Sequence, residues 1–250
     1  MKVKVLKNPV ELGMKAAVLS ADILNQNIKE KGSARLLLST GASQFEVLKS
    51  LVKMDVDWSK VEMFHLDDYI NLNENHSASF RKYLKERFTS IIKLKKANFI
   101  NGEGDISQNI DELASEIKKA SIDIALIGIG ENAHIAFNDP PADFNTKKAY
   151  IIVNLDEQCK KQQVGEGWFR TVEDVPNQAI SMTVYQIMQS NIIISCVPYK
   201  VKANAVKITL ENSVTNEKPA TILKTHRDWT LFLDKESSSL VNMEMLKKYK

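Results

Sequence analysis

The feature that most constrains this chain is a set of short apolar runs with no polar face: ARLLLS at 34–39, IDIALIG at 122–128 and NIIISCV at 191–197. A strand wetted on one side alternates apolar with polar residues. A strand buried on both sides does not, and such strands belong to parallel sheets covered by helices on each face. Further strand-like runs at 61–66, 97–100 and 230–233 fit the same reading. Between them the apolar spacing turns helical, over 9–28 (Leu12, Ala16, Leu19 and Ile23 among others), 45–54, 77–88, 106–121 and 201–210. Pro9 suits the first turn of a helix. Alternation over at least five units predicts an α/β fold, a mostly parallel sheet flanked by helices on both faces. Neither a repeat nor a Pro/Gly/Ser-rich linker divides the chain, so 1–250 is expected to be one domain. Residues 140–178 have the weakest periodicity and are expected to form an insertion or lid; a polar tail is expected after Leu233.

Composition narrows the partners. A chain of 250 residues with 44% hydrophobic residues can bury a core without staples. Its 34 basic and 31 acidic residues are interspersed and leave a net charge of +3, which is not the footprint of a nucleic-acid binder. Lys247, Lys248 and Lys250 read as a solvated basic end. Cys159 and Cys196 form no disulfide framework and no zinc spacing, which suits a reducing, cytoplasmic setting. Lys2, Lys4, Lys7 and Lys15 interrupt the stretch a signal peptide would need, and no run reaches membrane-spanning length, so no membrane partner is expected.

In an open parallel sheet, ligands bind beyond the carboxyl ends of the strands, which makes three turns the candidate site. Ser39, Thr40, Gly41, Ala42 and Ser43 precede a helix, where amide groups and the helix dipole favour an anion; an ordinary glycine turn with a serine cap would read the same way. Asp67 and Asp68 are adjacent acids at a strand end, either solvated or a site in which one is a base or a ligand. The third turn, 128–140, gathers Glu131, Asn132, His134 and Asp139 behind two glycines, company that suits a histidine moving protons. Ala133 stands where a dinucleotide fingerprint would have its third glycine. With no His-x-x-x-His pair and few ligands, neither a metal nor a cofactor is expected.

Five blocks, in order, resemble the glucosamine-6-phosphate deaminases (isomerases) and their wider superfamily with 6-phosphogluconolactonases. LLLSTGAS is similar to L-P-T-G-S/G-T. FHLDDY with the following HSASFRKYL is similar to F-N-M-D-E-Y and H-x-x-S-Y/F-R. GIGENAHIAFNDPP is similar to G-x-G-x-D/N-G-H-I-A/G-F-N-E/D-P. VPYKVKANAVKITLEN resembles the late lysine turn, and PATILKTH resembles P-A-S-x-L-Q-x-H. The resemblance implies a Rossmann-like, cytoplasmic amino-sugar enzyme that needs no cofactor. It would act on a small sugar phosphate as a free chain or a homo-oligomer, converting glucosamine 6-phosphate and water to fructose 6-phosphate and ammonia.

It further implies Asp67 as the base that moves a proton between C2 and C1, His134 as the ring-opening group, Asp139 as its orienting partner and Asn132 as a second partner. Ser39, Thr40, Gly41, Ala42, Ser43 and Lys202 would hold the phosphate, with Lys200 the alternative lysine and Asp68 a neighbour of the base. The lid arginine of the family has no aligned equivalent; Arg170 is offset, and Glu166 falls near the expected place. Ala133 replaces the family's glycine before the histidine, and Ser39 its proline. The competing expectations are the same chemistry on another hexosamine phosphate such as galactosamine 6-phosphate, a 6-phosphogluconolactonase, and a non-catalytic sugar-phosphate sensor.

Overall fold

A computed structural model describes residues 1–249; Lys250 of the basic end lies outside the described residues. The strands are β1 (Lys2–Leu6), β2 (Ala34–Leu38), β3 (Val61–His65), β4 (Asp67–Tyr69), β5 (Lys96–Asn98), β6 (Ile124–Leu126), β7 (Tyr150–Asn154), β8 (Gln178–Met182), β9 (Ile192–Val197) and β10 (Trp229–Asp234). The helices are α1 (Pro9–Lys31), α2 (Phe45–Leu51), α3 (Phe80–Leu84), α4 (Ile106–Ile117), α5 (Glu157–Gly165), α6 (Val184–Met188), α7 (Ala203–Glu211) and α8 (Met243–Lys248).

Seven strands form one all-parallel sheet in the order β1-β10-β9-β6-β2-β3-β5. The alternation of β2 shows why its sequence has no polar face. Leu36 and Leu38 pack with Leu12, Ala16 and Leu24 of α1 and with Val47 and Leu48 of α2. Leu37 points the other way, into a cluster with Leu113 and Ile117 of α4 and Val206 and Leu210 of α7. Each such leucine contributes about 1.5–3 kcal/mol by leaving water. The first helix is set by its ends: the Asn8 side chain accepts the Glu11 amide, Pro9 opens the first turn, and Gly32, at φ +78°, donates to the Ile28 carbonyl.

The second sheet, β4-β8-β7, is antiparallel and did not follow from the periodicity. Leu66 joins the two sheets: its amide donates to the Leu38 carbonyl in the large sheet, and its carbonyl accepts from Met182 in the small one. The stretch 140–178 is therefore not without structure; it carries β7 and α5. The ends also differ from expectation. Lys2–Leu6 is an edge strand with only Val3 buried, so its alternating lysines face water. The segment after Leu233 is no free tail, because Val241 and Leu246 are buried and the Tyr249 carbonyl accepts the Val3 amide. The helical reading over 77–88 is realised as α3 continued by a wider turn at Lys85–Thr89. No helix among the described residues is long and apolar enough to cross a membrane.

Candidate active site

The strand order turns back at β2. From there β3 and β5 lie to one side, while β6, β9 and β10 lie to the other. The crevice at such a switch point, beyond the carboxyl ends of β2 and β6, is where a parallel sheet binds ligands. Here the 39–43 turn and the 127–139 loop meet across it. Ser39 donates its amide to the Leu126 carbonyl, and its hydroxyl accepts the Gly128 amide at 3.0 Å. Gly41 has φ +95°, a conformation that favours glycine, and Ala42 and Ser43 open the helical turn that follows. Ser39, Thr40, Gly41, Ala42 and Ser43 all line the pocket. Amides that begin a helix have no intrahelical acceptor and suit an anion.

The lysine turn after β9 completes this wall. Tyr199, at φ +78°, donates its amide to Asp234 Oδ2 at 3.0 Å, and the chain then delivers Lys202, 7% exposed, to the pocket. Lys200 is exposed and lines nothing there.

The two adjacent acids part company because successive residues of a strand face opposite ways. Asp68 is fully buried and accepts from the Tyr69, Phe80 and Arg81 amides and from Arg81 Nε at 3.1 Å. It is an anchor for α3, away from the pocket. Asp67 lines the pocket, and burial, reinforced by the charge of Asp68, pushes its pKa well above the usual carboxylate range. A carboxylate that resists ionisation holds a proton more strongly, as a base must. Just before it, His65 is buried, its Nε2 accepts the Ile100 amide at 2.7 Å, and burial lowers its pKa to about 3, so it is a neutral fastener.

His134 stands on a loop bent by two non-glycine residues in the left-handed region, Ala133 at φ +66° and Ala136 at φ +50°. The Gly130 amide donates to the His134 carbonyl, and Gly130 has no side chain to spare: a Cβ there would lie 2.3 Å from His134 Nε2. The His134 ring, 8% exposed, lines the pocket and brings Nδ1 to 2.8 Å from Asp139 Oδ1. That places a carboxylate beside Nδ1, with Nε2 on the far side of the ring. Burial works to raise the Asp139 pKa, but hydrogen bonding and charge from His134, with Asn132 and Cys159, outweigh it and hold the carboxyl below its ordinary value. Asn132 lies behind the pocket, donating to Asp139 Oδ1 and accepting the His134 amide.

Asp67 and the His134 loop share one support. Asp67 is paired with Ser181 in the β4–β8 ladder, the Ser181 hydroxyl accepts the Phe137 amide at 3.0 Å, and Asn138 Nδ2 donates to the Met182 carbonyl at 2.8 Å.

The remaining wall comes from α5 and the residues after it, inside the stretch 140–178 whose periodicity is weakest. Gln162, Gln163, Glu166 and Trp168 line the pocket, yet α5 is polar almost throughout and offers no apolar stripe to read. Gln163 Oε1 accepts the Tyr69 hydroxyl at 2.7 Å. Glu166 Oε1 lies 3.7 Å from Lys202 Nζ, while Arg170 is exposed and outside the pocket. Tyr199 is a further pocket residue not singled out in advance; its left-handed backbone has no local signature in a tyrosine. His226 has both ring nitrogens engaged, with the Ser190 carbonyl and the Asp228 amide, away from the pocket.

Comparison with known proteins finds a family model, glucosamine-6-phosphate isomerases/6-phosphogluconolactonase, matching residues 7–232. A glucosamine-6-phosphate deaminase of Thermoanaerobacter sp. (strain X514) is 36% identical over 255 residues, covering 99% of this chain and 98% of the relative. One of Clostridium botulinum (strain Eklund 17B / Type B) is 35% identical, with 97% of each chain covered. The structure of a monomeric glucosamine-6-phosphate deaminase superposes with a TM-score of 0.88 at 29% identity, covering 96% of this chain and all of that one. A 6-phosphogluconolactonase of Shewanella baltica OS155 shares the fold, with a TM-score of 0.77 at 17% identity over 94% of this chain and 97% of that one.

Proposed function

Because this chain belongs to the family of glucosamine-6-phosphate isomerases and 6-phosphogluconolactonases, we propose that it is a cytoplasmic glucosamine-6-phosphate deaminase, converting glucosamine 6-phosphate and water to fructose 6-phosphate and ammonia in amino-sugar breakdown. The observation that carries the reading is the convergence of Asp67, His134 and Lys202 with the 39–43 turn on one pocket. Full-length relatives named as deaminases favour this activity over lactone hydrolysis.

The phosphate lies against the 39–43 turn and Lys202, which places the sugar carbons toward Asp67 and His134. His134, its Nδ1 turned to Asp139, takes the proton of the anomeric hydroxyl and delivers one to the ring oxygen, so that the C1–O5 bond breaks and the pyranose opens to the aldehyde. Asp67 removes the proton from C2 of the open aldehyde, the electron pair forms the C1–C2 double bond, and the C1 carbonyl oxygen takes a proton from the substrate's 2-ammonium group, giving a neutral enolamine. Return of the proton at C1 leaves a C2 imine. Water adds to that carbon, and the C–N bond breaks as the nitrogen leaves protonated, giving the ketose and ammonia. A carboxylate with a raised pKa suits the first transfer because it binds the C2 proton firmly enough to take it. In this reading, residues 140–178, which carry β7 and α5, form the lid over the phosphate end.

The test is ammonia release by the purified protein from a panel of 2-amino-2-deoxyhexose 6-phosphates, run beside hydrolysis of 6-phosphogluconolactone. Release from the gluco compound is expected, and Asp67→Asn should lower turnover by at least ~100-fold. Release only from the galacto epimer would move the substrate, hydrolysis of the lactone alone would overturn the reaction, and phosphate binding with no turnover would indicate a sensor.

A further inference from the structure

We propose that Glu166 is a built-in competitor for the substrate's phosphate, a carboxylate of the chain that sits among the donors an incoming phosphate needs and so sets how tightly the substrate is held. The inference rests on the reading of this pocket as a sugar-phosphate site. Three donors converge on Glu166. Gln162 Nε2 lies 2.8 Å from Oε1, Trp168 Nε1 lies 3.1 Å from Oε2, and Lys202 Nζ lies 3.7 Å from Oε1. All four residues line the pocket together with the 39–43 turn. An ammonium, an amide and an indole N–H aimed at one point describe an anion seat, and here the anion is supplied by the protein itself.

A dianionic phosphate and this carboxylate cannot both occupy the seat at low cost. The Lys202 side chain is only 9% exposed, so the repulsion is poorly screened. Glu166 is free to leave, because its own side chain is 19% exposed and it caps the end of α5, next to Gly167 at φ +81°. Turning the carboxylate outward releases Lys202, Gln162 and Trp168 to the phosphate. The affinity observed is then the intrinsic affinity reduced by the cost of displacing Glu166. A plain ion pair that holds Lys202 in place would act in the opposite sense, since its loss would loosen the lysine and weaken anion binding.

The measurement is calorimetric titration of inorganic phosphate, at fixed ionic strength, into the wild-type protein, Glu166→Gln, Lys202→Met and the double variant. Glu166→Gln is expected to bind phosphate at least ~5-fold more tightly. In the Lys202→Met background the same change should gain less than ~2-fold, because no cation is left to release. The KM for glucosamine 6-phosphate should fall by the same factor as the phosphate constant, and Glu166→Ala should move both in the same direction. Unchanged or weaker phosphate binding by Glu166→Gln, a gain of equal size without Lys202, or no phosphate binding by any of the four proteins would each overturn the proposal. Phosphate binding needs no turnover, so this outcome is separate from whether the protein releases ammonia.

Discussion

The raised pKa of Asp67 makes two measurable statements with opposite consequences. As a base it works ionised, so kcat/KM should fall as pH is lowered through a limb lying above the ordinary carboxylate range, and a limb near pH 4 would contradict the assignment. For stability the sign reverses. A carboxyl whose folded pKa exceeds its unfolded one contributes stability that is fully present below the unfolded value and lost as pH rises through the folded one. Asp67 therefore burdens the fold at neutral pH, and Asp67→Asn should melt higher than wild type at pH 7, with the difference shrinking toward pH 4. Ala133 is a second local cost, a methyl in a left-handed position at φ +66°. Ala133→Gly relieves that strain but removes a fully buried methyl, so the unfolding free energy should change by less than about 1 kcal/mol in denaturant unfolding. The Asp67, His134 and Lys202 positions were legible because each sits inside a short block whose spacing is local. The fate of Asp68 was not, since its guanidinium partner is Arg81, thirteen residues along the chain.

Among the elements, the strands buried on both faces announced themselves, and the helices that cover them did so through their apolar stripes. What escaped was whatever depends on a neighbour for its identity. The three residues of β4 become a strand only because β8 lies beside them, and β1 is a strand of alternating lysines because β10 supplies its one partner. The buried pair of Asp68 with Arg81 ties β4 to α3, and Arg81 Nη2 also reaches the Leu72 carbonyl. Arg81→Ala leaves a carboxylate uncompensated in the interior. It should cost about 3–5 kcal/mol in chemical unfolding, and a loss below 1 kcal/mol would mean that Asp68 is neutral in the native protein.

For the whole molecule, the architecture of a parallel sheet between helix layers could be read in advance, whereas the strand order, and with it the switch point between β2 and β6, could not. Order is decided by which edges pair, and the apolar runs of β2, β6 and β9 are interchangeable in composition. The closing of the C-terminal segment onto β1 was likewise invisible, since two buried apolar residues, Val241 and Leu246, in a polar stretch carry no period. Leu246 packs at that edge and lines no part of the pocket, so stability and catalysis separate there. Leu246→Ala should lower unfolding free energy by about 2–4 kcal/mol while the KM of the folded protein stays at the wild-type value. A shift in KM would mean that the far edge of the sheet communicates with the crevice.

The common footing of Asp67 and the His134 loop on Ser181 has a further consequence. In the proposed reaction the groups assigned to proton transfer share one benchmark, while those assigned to the phosphate hang from β2, β9 and α5. The two supports touch where the Gly128 amide donates to the Ser39 hydroxyl. On that reading, substitutions along α5 would alter what is held without disturbing Ser181, the footing of the groups that rearrange it.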